Sequence, residues 1–266
     1  MAQLFFMGTG KMATAIAGGL VKKNVFESSE LCGFDINPAA AAEFTKATGV
    51  PTVTTPADAL AASSAVLIAV KPQMITAALE QFKEILKDKL ILSIAAGISI
   101  AQLAELTTSS RIIRIMPNTP ALVGCGAAAF TPSQDAGTED IALAGKIFSA
   151  VGIAIQLKES DMDAVTALSG SGPAYAFEFI QALADGGVAE GLSRETALKL
   201  AAQTLLGAAM MVIETGEHPG VLKDKVTSPA GTTSRALEVL AERGFSGTVI
   251  QAVRAAAKRS KELGKN

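Results

Sequence analysis

Four apolar residues, Leu4-Phe5-Phe6-Met7, run without a break into Gly8-Thr9-Gly10-Lys11-Met12-Ala13, after which Met12, Ile16, Leu20 and Val21 recur at helical spacing. A short run apolar on both faces suits a strand covered from two sides, and the 3.6-residue period that follows opens a helix. Strand, glycine turn and helix in that order begin a dinucleotide-binding fold. The glycines permit a tight turn and let the backbone approach a pyrophosphate, which the helix N-terminus then stabilises. The third glycine of the usual G-x-G-x-x-G pattern is replaced by Ala13, a permitted small alternative. Gly8, Thr9, Gly10, Lys11 and Met12 are candidate cofactor contacts.

The same pattern repeats through the first 159 residues. Apolar runs at Leu31–Phe34, Ala65–Val70, Leu90–Ile94, Arg111–Met116, Ala127–Phe130 and Ile153–Ile155 alternate with helical candidates at Ala39–Thr48, Gln73–Leu86, Ile100–Leu106 and Glu139–Ser149. Short continuous strands separated by helices imply a mainly parallel sheet covered on both faces, with ligands beyond the carboxyl ends of its strands. The segments in that position are Gly8 to Met12, Lys71-Pro72-Gln73, Ala95-Ala96-Gly97 and Met116 to Pro120. Lys71 directly follows an apolar run; it is either a solvated strand-end lysine or a partner for cofactor phosphate or ribose. Asp35, which closes the second run, is either a turn residue in Asp-Ile-Asn-Pro or the acid that grips the adenosine ribose. In the second case its charge repels a 2′-phosphate and Ile36 adds no cation, which leans the local chemistry toward NAD. Asn118, between two prolines, reads first as a turn residue.

After Glu159 the strand signal stops. Asp163–Leu168, Tyr175–Gly191, Arg194–Ile213, Gly220–Lys225, Ser234–Arg243 and Thr248–Leu263 read as helices, giving domains at 1–159 and 160–266. The break at Ser169-Gly170-Ser171-Gly172-Pro173 is a hinge or a helix restart. Ala- and Gly-rich helices pack closely but bury little apolar area alone, so a second subunit is expected against them. Tyr175, among Ala174, Ala176, Phe177 and Phe179, reads as interface packing, and His218 as a surface turn residue. Thr227-Ser228-Pro229-Ala230-Gly231-Thr232-Thr233-Ser234 opens onto an amphipathic run and holds more hydroxyls than one helix cap requires, so it is a candidate site for a small anion.

A net charge of -2 with no long Lys/Arg block excludes a nucleic-acid surface. Cys32 and Cys125 lack metal-ligand spacing and one histidine builds no zinc site, so no metal is expected and both thiols read as core residues. The N-terminus lacks the features of a signal peptide, and the charge-free stretch Leu200–Ile213 is short for a bilayer, so the expectation is a cytoplasmic protein with no membrane partner.

Taken together, Gly8-Thr9-Gly10-Lys11-Met12, Ala69-Val70-Lys71-Pro72, Ala95-Ala96-Gly97, Arg114 to Pro120, Ser169 to Tyr175, and His218-Pro219-Gly220 through Leu222-Lys223-Asp224 to the Thr/Ser loop resemble pyrroline-5-carboxylate reductases along the full chain. The resemblance implies a Rossmann domain followed by a helical dimerisation domain, a homodimer that in this family is often assembled further into a decamer, and a site formed between domains and subunits. It implies NADP(H) or NAD(H) as cofactor, held by Gly8, Gly10, Lys11, Met12, Ala69, Lys71, Pro72, Ala95 and Gly97, with Thr9, Val70 and Ala96 in the same segments. It places the imine carboxylate against Ser228, Gly231, Thr232 and Thr233, with Glu159 as a further contact. Thr233 matches the hydroxyl that the family sets beside the substrate ring.

The implied reaction is hydride transfer to a C=N bond, giving proline. Such an imine takes a proton from water, so positioning, worth roughly 7–11 kcal/mol, outweighs general acid help of about 10²–10⁴-fold. Two rivals share the fold plan. A 3-hydroxyacid dehydrogenase needs a lysine base soon after the glycine-rich turn, where this chain has none before Lys199. A dinucleotide sensor would bind the cofactor without consuming it.

Overall fold

The computed structural model describes residues 3–264 and divides into two compact units, one running to Ser171 and resumed from Ala256, the other Gly172–Ala255. The first unit carries a seven-stranded sheet in the order β2-β1-β3-β4-β5-β6-β7. These strands are β1 (Leu4–Met7), β2 (Leu31–Phe34), β3 (Ala65–Ile68), β4 (Leu90–Ser93), β5 (Ile112–Met116), β6 (Gly126–Pro132) and β7 (Gly152–Gln156). Strands β1 to β5 are parallel; β6 runs antiparallel to β5, and β7 parallel to β6.

Every residue of β1, β3 and β4 is buried, as their unbroken apolar runs require. Alternate side chains feed two cores. Leu4, Phe6 and Leu67 join Ile16, Leu20 and Phe44 on one face, while Phe5, Met7 and Ile68 join Ile75, Leu79 and Leu103 on the other. Burying each such side chain is worth about 1.5–3 kcal/mol. Helices Lys11–Lys22, Pro38–Thr48, Ile100–Thr107 and Thr138–Ser149 cover the sheet at nearly the expected bounds. The expected helix Gln73–Leu86 is instead broken into 3₁₀ and α segments, which still bury Ile75, Leu79, Phe82 and Leu86. Helix Pro56–Ala62 was not expected, although Thr55 followed by Pro56 is a legible start signal. Cys32 is buried, and desolvation pushes its thiol above the ordinary range. Cys125 is exposed, contrary to expectation, because it leaves a tight turn whose Gly124 takes φ +75°.

The Ser169–Pro173 break is a turn of π-helix, Thr166–Gly170, closed by Ser171 N–H donating to the Thr166 carbonyl. The second unit is helical: Gly172–Ala189, Arg194–Thr215, Pro219–Lys225 and Thr232–Glu242, followed by Phe245–Leu263, which extends into the first unit's final segment. Its buried apolar cluster is small, Ala184, Ala197 and Ala201, with Ile180 and Val188 partly covered. Phe177, Leu206, Met210, Ile213, Val249 and Ile250 are exposed. Helix Arg194–Thr215 is longer than the charge-free stretch suggested, and is long and apolar enough to cross a bilayer by length and composition, with only 11% of that window buried. His218 is a turn residue as expected, its Nδ1 accepting from Gly220 N–H at the start of the short helix Pro219–Lys225.

Candidate functional site

Strand order reverses at β1, which has β2 on one side and β3 on the other, and a crevice opens beyond the carboxyl ends of these strands. A cavity of about 430 Å³ lies there, lined by Gly8, Gly10, Asp35, Ile36, Asn37, Ala69, Val70, Lys71, Met74 and Gln81 among others. That volume falls in the range of small-molecule and cofactor sites. Of the expected cofactor residues, the structure therefore gathers Gly8, Gly10, Asp35, Ala69, Val70 and Lys71 around one cavity. Thr9 is buried between the two glycines and tied to Asp35, and Lys11 and Met12 start the helix. Pro72 opens the 3₁₀ turn after Lys71, and Ala95, Ala96 and Gly97 form the exit from β4, with Gly97 at φ +80°. Asn37, Met74 and Gln81 escaped sequence reasoning as site residues because they carry no motif signal of their own.

The two glycines of the turn have different physical reasons. Gly8 holds φ +97°, and a Cβ there would stand 2.9 Å from the Ala69 carbonyl carbon and oxygen, so the close approach of β1 and β3 excludes any side chain. Gly10 has φ -68°, and a Cβ there would meet no protein atom within 4 Å. Among the described residues, none demands glycine at position 10 by contact. The space kept clear fits a backbone that a ligand must touch. Gly10 also starts helix Lys11–Lys22 without a side-chain cap, leaving N–H groups available to a pyrophosphate. The residues present thus fit a dinucleotide.

Asp35 is held from three directions. Its Oδ2 accepts from Thr9 N–H at 2.8 Å and from Thr9 Oγ at 3.1 Å, and its Oδ1 accepts from Asn37 N–H at 2.9 Å. The parallel register Met7↔Phe34 brings the glycine turn beside the end of β2 and makes this tie possible.

Glu159 Oε1 accepts from Ile100 N–H at 2.8 Å and from Arg114 Nη1 at 3.1 Å. It thereby anchors the start of helix Ile100–Thr107 to β5, and lines a broader, shallow hollow along that helix, β5 and β6. Asn118 is buried and donates to the Ser169 carbonyl at 3.1 Å while accepting from Ala127 N–H at 2.8 Å, so its side chain ties distant segments together and makes no cap bond to the 3₁₀ turn that follows it, unlike the turn residue expected.

In the second unit, Ser228 to Gly231 form a tight turn closed by Gly231 N–H donating to the Ser228 carbonyl at 3.0 Å. Ala230 takes φ +55°, a conformation costing a non-glycine residue roughly 1–2 kcal/mol. A Cβ on Gly231 would lie 2.2 Å from Ser228 Oγ, so a side chain there would force the Ser228 hydroxyl to turn away. Gly231 starts helix Thr232–Glu242 with no side-chain cap, although Ser228, Thr232 and Thr233 stand around that end. An uncapped helix start framed by hydroxyls can hold a carboxylate. Thr233 is half-buried, Ser228 exposed. Among the described residues no group of three or more His, Cys, Asp or Glu could hold a metal ion.

Comparison with known proteins covers both units. Residues 159–263 match the pyrroline-5-carboxylate reductase dimerisation family, and residues 3–97 the family described as NADP oxidoreductase coenzyme F420-dependent. A pyrroline-5-carboxylate reductase of Arabidopsis thaliana is 47% identical over 259 residues, covering 97% of this chain and 94% of that protein. A solved pyrroline-5-carboxylate reductase from Coxiella burnetii superposes with a TM-score of 0.92 at 36% identity, covering 98% of each chain. The Plasmodium falciparum pyrroline carboxylate reductase, solved with NADP bound, gives 0.88 at 35% identity, covering 99% of this chain and 98% of the other.

Proposed function

The chain belongs to the pyrroline-5-carboxylate reductase family, and from that membership we propose that it reduces the C=N bond of 1-pyrroline-5-carboxylate with NAD(P)H to give L-proline. The observation that carries this reading is likeness over almost the whole length of both chains, at 47% identity to the Arabidopsis thaliana reductase.

We assign the dinucleotide to the crevice beyond β1 and β3. Gly8 sets the turn there, Gly10 exposes the helix start to the pyrophosphate, and Lys71 supplies a cation at the end of β3. A reduced nicotinamide bound in that crevice supplies the hydride. We assign the substrate carboxylate to the turn Ser228–Gly231 and the uncapped start of helix Thr232–Glu242. A helix dipole contributes about 0.3–1 kcal/mol to such an anion, and up to about 2 when partly buried. Thr233 fixes the ring or donates to its nitrogen. The nitrogen takes its proton from water, so no strong general acid is required of the chain.

Self-association follows from the second unit. Its small buried cluster leaves a long apolar helix, Arg194–Thr215, largely uncovered, and the matching family is a dimerisation domain. We take the assembled form to be a homodimer, with a decamer as its further assembly, working in the cytoplasm, where Cys32 and Cys125 stay as free thiols.

The purified chain, given reduced cofactor and 1-pyrroline-5-carboxylate, should consume the cofactor and release proline one for one. Cofactor binding with no consumption is the behaviour of a dinucleotide sensor and would overturn the proposal.

A further inference from the structure

Building on the cofactor crevice assigned above, we propose that Asp35 makes this enzyme selective for NADH over NADPH. The end of β2 is where a Rossmann fold meets the adenosine ribose. Asp35 occupies that end and lines the cavity together with Ile36 and Asn37.

The carboxylate is not a free surface charge that could swing away. Thr9 N–H and Thr9 Oγ hold Oδ2, and Asn37 N–H holds Oδ1. Each carboxylate oxygen carries about two acceptor positions. Both on Oδ2 are taken by Thr9, which leaves one on Oδ1 for a hydroxyl. An ionised carboxylate accepts only, so a ribose 2′-OH can donate to it and a 2′-phosphate cannot. The phosphate brings about -1.5 to -2 charges to a fixed negative group, with no donor to offer in return.

Among the described residues that line the cavity, none reverses this balance. Ile36, the next residue, is 72% exposed and apolar where a cation would be needed. The cation on the cavity lining is Lys71, which follows β3. Strand β1 lies between β2 and β3, so Lys71 starts two strand spacings, roughly 9.5 Å, from the strand that bears Asp35. Moving Asp35 aside would also break its tie to Thr9 and disturb the glycine turn on which any dinucleotide depends.

The test is initial-rate kinetics of imine reduction with NADH and with NADPH at one ionic strength, for the natural chain, Asp35→Asn and Ile36→Arg. The natural chain should show kcat/KM at least about tenfold higher with NADH, the scale of one unfavourable like-charge contact. Asp35→Asn keeps an oxygen for Thr9 but removes the charge, and should collapse that ratio by raising the NADPH value while the NADH value falls. A purely structural role for Asp35 would lower both values in proportion. Ile36→Arg, at an exposed position that should tolerate it, should shift the ratio toward NADPH even if the Asp35 variant does not fold. The inference is overturned if the natural chain uses NADPH as well as or better than NADH, or if either folded variant leaves the ratio unchanged. Turnover with neither cofactor would overturn the reductase reading instead. Calorimetric titration with NAD+ and NADP+ then decides the selectivity by itself, tighter NAD+ binding supporting it and equal or weaker binding overturning it.

Discussion

Gly10→Ala separates a glycine kept for a ligand from a glycine kept for the fold. Its φ of -68° is open to alanine, and the added methyl meets no protein atom within 4 Å. Alanine is a poorer helix cap than glycine by roughly 0.5–1 kcal/mol, and it gains about 0.4–1 kcal/mol by restricting the unfolded chain. These terms offset, so stability should change by less than about 1 kcal/mol and the midpoint of thermal unfolding by less than about 4 °C. Binding should respond differently. The methyl would stand where the pyrophosphate approaches the helix start, and losing one hydrogen bond to a charged group costs about 1.5–3 kcal/mol. The dissociation constant for the dinucleotide should therefore rise about tenfold to a hundredfold or more, measured by calorimetric titration beside a thermal melt. Gly8→Ala is the contrasting control: φ +97° and contact with the Ala69 backbone at 2.9 Å should lower stability as well as affinity. A Gly10→Ala protein that binds cofactor like the natural chain, or that unfolds, would refute the reasoning.

Thr233→Ala should lower kcat/KM for the imine about tenfold to a hundredfold, the loss of one hydrogen bond to a charged or ionising group, while cofactor affinity holds; unchanged turnover would remove Thr233 from the site. Asp140→Ala should cost about 1–3 kcal/mol in chemical denaturation. Its buried carboxylate pairs with Arg111 at 2.5 and 3.0 Å and accepts from Gly137 N–H at 3.1 Å ahead of helix Thr138–Ser149. The Arg111 hydrogen bond holds the Asp140 carboxyl below its ordinary value. A lowered folded value means that this stability is fully present above the ordinary carboxylate range and is lost as pH falls through the folded value. The gap between natural chain and variant should accordingly be flat near neutrality and close in acid. Leu206→Asp combined with Met210→Asp, one helical turn apart on exposed positions, should yield a monomer by size-exclusion chromatography, with imine reduction lost; a retained dimer would move the interface elsewhere.

How much was legible follows from where the information lies. Leu4–Met7 and Ala65–Ile68 could be read as strands because their burial on both faces leaves no polar position in the sequence. The reversal of β6 against β5 could not, since an apolar run carries no direction. The end residues Thr131 and Pro132, which lengthen β6 beyond Ala127–Phe130, carry no apolar signal either. The glycine turn and the strand exit at Lys71 were legible because their place at strand ends is local in sequence, although Ala69 and Val70, read as strand, already lie past the end of β3. The tie of Asp35 to Thr9 was not, because it exists only through the register between β1 and β2. Likewise, Glu159 as an anchor for Ile100 and Arg114 depends on contacts between residues far apart in the chain. Cys125 was misjudged because its exposure is set by the Gly124 turn, which composition does not reveal.

Reduced cofactor carrying deuterium on the transferable C4 position tests the central claim most directly. Incubated with the natural chain and 1-pyrroline-5-carboxylate, it should give proline with one deuterium on the ring carbon beside nitrogen and remote from the carboxylate, shown by mass spectrometry and NMR. Proline without label, or no proline while the cofactor remains reduced, would contradict it.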